Sequence, residues 1–136
     1  MSNKDKQIVF RYSLMNGRLD ICNPSRTVPN KYDNIVSLKM TITDAVSFMR
    51  MFSSCIRDNV VIRDNKIVAV NYQVMSFNDY NLSISYNDGI DISITHIENS
   101  GEKLVGTISG QFGRKGKDII NSIWRDAKDI QKLLTC

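Results

Sequence analysis

The sequence predicts an α+β fold with antiparallel strands, arranged as strands and a helix, then strands and a helix again. Three features predict it. Apolar and polar residues alternate over several short runs, as in half-buried strands. Asn16-Gly17 and Asn87-Asp88-Gly89 stand between such runs, where tight hairpin turns form. Two segments, one over 44–57 and one opening at Asp118, switch to helical spacing, and each comes after a strand with an apolar face to cover. A chain of 136 residues fits one domain, 1–136, with architecturally similar halves at about 1–58 and 59–136 and no sequence identity between them.

Residues 7–14 place Ile8, Phe10, Tyr12 and Leu14 on one face, with Val9, Arg11 and Ser13 on the other. Asn16-Gly17 turns this strand into a second, 18–23. Residues 24–34, with Pro24 and Pro29, read as a loop, and Asn34 to Ile42 as a third strand sharing Val36, Leu38, Met40 and Ile42. Thr43 is the expected N-cap of the first helix, and Asp44 suits its positive end. Val46, Met49, Phe52 and Ile56 form the helix stripe, widened by Ala45, Phe48 and Cys55. A strand pair then turns at Asp64-Asn65, its second arm running from Lys66 to Met75 and rich in β-branched residues. Strands over 81–86 and 90–97 flank the Asn87-Asp88-Gly89 turn. After Asn99-Ser100-Gly101 a last strand over 103–112 sets Leu104, Ile108 and Phe112 in register. A basic loop, Gly113 to Lys117, leads into the second helix, whose stripe includes Ile120, Ile123, Trp124, Ala127, Ile130 and Leu134.

Composition excludes some classes. Apolar residues make up 42% and charged residues 24%, as in ordinary globular proteins. The longest uncharged stretch, 67–78, is too short and polar to cross a bilayer, and the N-terminal residues lack the apolar core of a secretion signal, so a cytoplasmic location is expected. Three cysteines without a CxxC pair suit reduced thiols, and a single histidine argues against a zinc site, so no metal and no cofactor is expected. Abundant Asn and Ile with 2 prolines suit an AT-rich genome, such as that of a low-GC bacterium or its phages.

The net charge of +4 is unevenly distributed. Residues 1–40 hold seven Lys or Arg against three acids, and 103–136 repeat that ratio. Residues 78–102 hold five acids and no Lys or Arg. Basic blocks suit a polyanion-binding surface, because each cation placed on a phosphate releases a counterion. The acidic block needs a place away from any such path.

No catalytic constellation emerges, and no enzyme is expected. His96 stands near a strand end without a Ser or Cys motif beside it, and the Gly113 loop lacks the Ser or Thr that completes a phosphate-cradling motif. Binding is better supported. Phe10-Arg11-Tyr12, Lys31-Tyr32 and Phe112-Gly113-Arg114-Lys115 set rings beside cations, the pairing used by sequence-tolerant single-strand binders. Such rings equally fill cores, and Phe10 is expected to do so while Tyr12, Tyr72 and Tyr80 stay open between the two roles. Ser, Thr and Asn on alternate positions of 81–111 suit either a smooth binding face or a solvated sheet. The broad stripe of the second helix packs either in this chain's core or on a second copy through Ile120, Trp124, Ala127, Ile130 and Leu134.

The element order, with the basic Gly113-Arg114-Lys115-Gly116 turn ahead of a Trp-containing amphipathic helix, resembles the single-stranded-DNA-binding fold shared by eukaryotic transcriptional coactivators and the plant Whirly proteins, a fold that phage proteins also use. The resemblance covers most of the chain as architecture but only Gly113 to Trp124 as residues. It implies twisted antiparallel sheets that bind single-stranded DNA, with helices building a homo-oligomer. Arg114, Lys115 and Lys117 match its basic turn and Trp124 its helix. Strand position and charge add Arg11, Tyr12, Arg18, Lys39, Lys66, Tyr72 and Lys103 as nucleic-acid contacts. Two departures are the three strands of the first half, where the family has four, and the acidic block. The expected function is sequence-tolerant binding and protection of single-stranded DNA in replication or recombination, with RNA as a further ligand. The alternative is a non-catalytic protein-interaction or assembly factor with a basic surface.

Overall fold

Alternation builds the first sheet. The computed structural model describes residues 9–24, 32–64, 66–87, 89–110 and 125–132. Strands β1 (Val9–Ser13), β2 (Arg18–Pro24) and β3 (Tyr32–Lys39) pair antiparallel in that order. Phe10, Leu19, Ile21, Val36 and Leu38 are buried on one face, and Arg11, Arg18, Asp20, Ser37 and Lys39 take the alternate positions. Gly17 closes the β1–β2 turn at φ 62°, where a Cβ is penalised, and its carbonyl accepts the Met40 N–H at 3.1 Å.

Helix α1 (Ile42–Asn59) is capped by Thr41 instead of Thr43. Thr41 is extended and its Oγ1 accepts the Asp44 N–H at 3.2 Å. A capping oxygen has to precede the N–H it serves by two or three residues, which places Thr43 inside the first turn. The expected stripe is buried, with Phe48, Met49, Phe52 and Ile56 at its centre.

Beyond α1 the chain forms two sheets. Strands β4 (Val60–Arg63) and β5 (Lys66–Val70) make a hairpin. Strands β6 (Gln73–Phe77), β7 (Tyr80–Tyr86), β8 (Ile90–Glu98) and β9 (Gly101–Gly110) make a four-stranded antiparallel sheet in sequence order. The single long arm expected over 66–75 is therefore interrupted at Asn71 and Tyr72. The Asn71 N–H donates to the Asn59 carbonyl at 2.8 Å, one step beyond the Val60–Val70 pair, and after Tyr72 the chain pairs with β7 as β6.

A register shift between Ile94 and Thr95 corrects a second expectation. Leu104 stands opposite Thr95 and is exposed, whereas Ile108 stands opposite Ile92 and is buried. Leu104 and Ile108 thus fall on opposite faces, because a bulge reverses the alternation beyond it.

The three-stranded and four-stranded sheets share one core with α1 between them. Phe10 of β1 packs edge-on to Phe52 at 5.3 Å between centroids, Phe52 lies 6.2 Å from Phe48, and Phe48 meets Phe77 of β6 at 5.6 Å. A second helical segment, α2 (125–131), adds Ala127 and Ile130 to this core. Asp126 Oδ2 accepts the Phe10 N–H at 3.0 Å, so α2 covers the open edge of β1, and Arg50 Nη2 donates to Gln131 Oε1 across the helices at 3.3 Å. Ala127 and Ile130 are thus covered by this chain and offer a second copy no surface. Ile120, Trp124 and Leu134 lie outside the described residues. No helix among the described residues is long and apolar enough to cross a membrane.

Candidate functional site

Strand register brings three of the expected cations together. The β2–β3 ladder sets Arg18 directly opposite Lys39. The β7–β8–β9 ladders set Tyr80, His96 and Lys103 in one row. Tyr80 joins the two rows, its hydroxyl accepting the Lys39 N–H at 3.1 Å. A cleft of about 700 Å³ opens along this junction, and Arg18, Lys39 and Lys103 all line it.

The charges around the cleft are not equivalent. Among the described residues, none of Arg18, Lys39 and Lys103 forms an ion pair, and all three are exposed. Among the described residues, Arg18 reaches the Ser37 hydroxyl, at 3.5 Å. Asp44, Asp79 and Glu98 line the same cleft. Asp44 Oδ2 accepts from Asn78 Nδ2 at 3.1 Å, and Glu98 Oε1 lies 3.4 Å from His96 Nδ1. Two of the three carboxylates therefore have a close polar neighbour, whereas among the described residues the Lys39 and Lys103 side chains have none and Arg18 has only a long bond to a hydroxyl. Placing Arg18 opposite Lys39 also costs the sheet stability, since like charges directly across a ladder repel. An anion seated between them would relieve that cost.

A second cleft of about 440 Å³ adjoins the first and shares Lys39, Met40 and Thr41 with it. Tyr12, Gly17 and Ile42 complete its lining. Tyr12 is half-buried, and its hydroxyl donates to the Met40 carbonyl at 2.9 Å, which fixes the ring at the cleft wall.

Other expected contacts lie apart from the junction. Arg11 is exposed on the outward face of β1, two residues along from the Arg18 row. Lys66 stands opposite Arg63 at the β4–β5 turn. Tyr72 is 72% exposed between β5 and β6. Phe10 and Tyr80 are buried, which settles them as core and bridging residues instead of stacking rings. Arg114, Lys115 and Lys117 lie outside the described residues.

The acidic block is divided: Asp79 and Glu98 line the cleft beside the cations, against the expectation that the block lies away from them, and Asp91 and Glu102 take the outer face of the four-stranded sheet. Glu102 accepts from Asn81 Nδ2 at 2.8 Å and from Thr95 Oγ1 at 3.1 Å, and Asp91 stands opposite Ser85. Among the described residues that face carries no Lys or Arg. The Asn81 amide and the Thr95 hydroxyl are thus taken by one carboxylate, and a face that carries Asp91 and Glu102 without a cation among the described residues is unsuited to phosphate.

Sequence reasoning missed His96 and Asp44 as parts of the site, and left Tyr80 open between core and stacking without foreseeing its place at the junction. The Tyr80 ring lies 5.0 Å from that of His96. No local motif marks these residues, because their meeting depends on the register shift in β8–β9 and on contact between two sheets. Catalytic and metal chemistry gain no support from the described residues. Burial pushes the Cys22 and Cys55 thiols up, holding both in the protonated, unreactive form. No described group of three or more His, Cys, Asp or Glu is placed to hold a metal ion.

No family model, curated protein or solved structure matches the chain.

Proposed function

We propose that this chain binds single-stranded nucleic acid, DNA foremost, without strong sequence preference, and protects it during replication or recombination. The observation that carries this reading is the convergence of Arg18, Lys39 and Lys103, from three strands, on one cleft without ion pairs among the described residues. Phosphate contacts position a strand but read no bases, which fits sequence tolerance. Arg11 extends the same outward face. Glu102 and Asp91 on the outer face of the four-stranded sheet disfavour a strand there by repulsion. The likeness to the coactivator and Whirly fold belongs to the same proposal and rests on the order strands, helix, strands, helix.

The test is a titration of labelled oligothymidine by fluorescence anisotropy at several salt concentrations, comparing the native chain with the triple variant R18Q/K39Q/K103Q. Each phosphate contact on a single strand contributes about 0.7 to the slope of log K against log salt. The triple variant is expected to bind at least about tenfold more weakly, with a slope smaller by about 2. An unchanged affinity and slope would overturn the reading.

A further inference from the structure

We infer that the two adjoining clefts form one bipartite site for a single nucleotide unit, with phosphate in the charged cleft and base in the apolar one. This deepens the preceding reading and rests on it. The larger cleft supplies Arg18, Lys39 and Lys103 to the phosphate. The smaller supplies the Tyr12 ring with Met40 and Ile42, a wall to which a flat, weakly polar base is suited. Lys39, Met40 and Thr41 border both, so a ligand passing from one to the other runs continuously along β3 and the start of α1.

The carboxylates favour one unit over a long phosphate track. Asp44, Asp79 and Glu98 share the larger cleft with the cations, so a second phosphate in that cleft would meet carboxylates. Sugar hydroxyls and amino groups, which donate hydrogen bonds, are the groups that suit such a wall. The ligand class is therefore a nucleoside phosphate, either free or as one unit of a single strand.

Calorimetry on the full chain separates the parts, with thymidine 5′-monophosphate, thymidine, inorganic phosphate and oligothymidine as probes. The monophosphate is expected to bind at least about fivefold more tightly than inorganic phosphate, the least that one stacked base contributes, and to compete with oligothymidine. Tyr12→Leu should remove that advantage while phosphate binding persists, which also reports a folded protein. Tyr12→Phe keeps the ring and should restore the advantage. K39Q should weaken both ligands. If the monophosphate binds no better than phosphate, or Tyr12→Leu leaves its advantage intact, the bipartite site is wrong while phosphate recognition stands. If neither phosphate nor oligothymidine binds, the parent reading falls with it. Binding of the monophosphate with no binding of oligothymidine would keep the site and assign it to free nucleotides.

Discussion

The outward faces of the three-stranded and four-stranded sheets share a backbone pattern and differ in what their charges touch. On the first, Arg18 and Lys39 stand opposite each other without ion pairs among the described residues. On the second, Glu102 bonds to Asn81 and Thr95, two side chains that need an acceptor. A charge satisfied by neighbours serves the fold, whereas charges set against each other cost stability and suit a ligand from outside. The two sheets nevertheless depend on one core, so their difference lies in the surface.

That dependence is tested most severely at Phe48. Its ring connects Phe52, and through it Phe10 of the first sheet, with Phe77 of the four-stranded sheet, and it is fully buried. Phe48→Ala is expected to lower stability by about 3–5 kcal/mol. Urea unfolding followed by circular dichroism should keep a single transition with a lower midpoint. Two separated transitions would mean that the sheets are independent units, and would break the comparison.

Asp126 asks whether the edge of the first sheet relies on α2. Burial raises its carboxyl above the usual range, the Phe10 N–H pulls it back down, Asp129 raises it further, and Arg125 and Arg11 lower it. With a raised folded-state pKa, the protonated carboxyl stabilises the fold fully below the unfolded value of about 3.9, and this contribution is lost as pH rises through the folded value. Asp126→Asn mimics the protonated group and still accepts the Phe10 N–H. Its melting temperature should match the native chain near pH 3 and exceed it at pH 7. Asp126→Ala leaves that N–H unpaired and should cost about 1–3 kcal/mol at both. A melting difference between Asn and Asp that does not grow with pH would remove the carboxylate from the account.

Much of this was legible in the sequence. Alternation located the strands, and helical spacing located α1 with its buried Val46, Met49, Phe52 and Ile56. What stayed hidden depends on partners distant in sequence. The end of the β4–β5 ladder at Asn59 and Asn71 shows only once its two arms are paired, and the exposure of Leu104 follows from a bulge visible only once β8 and β9 are paired. Arg18, Lys39 and Lys103 were marked individually by charge and strand position. Their meeting at Tyr80 and His96 was not, since β2 and β9 are joined in space by the contact of two sheets. The opposite error concerned Ala127 and Ile130, whose stripe fits one core as well as a second copy until α2 is set against β1.

The smallest expected effect discriminates most finely between the two faces. Lys39 is exposed and directly across from Arg18, so replacing it with threonine removes a like-charge neighbour and adds a side chain suited to strands. Lys39→Thr should raise stability by a few tenths of a kcal/mol, read from the urea midpoint at low ionic strength. The gain should shrink near 1 M salt, where screening acts over about 3 Å. The same variant should bind oligothymidine more weakly. Opposite signs for folding and binding identify a side chain retained for its ligand at the expense of the sheet. A loss of stability on replacing Lys39 would instead make the lysine a structural part of β3, and the contrast between the two sheets would lose its meaning.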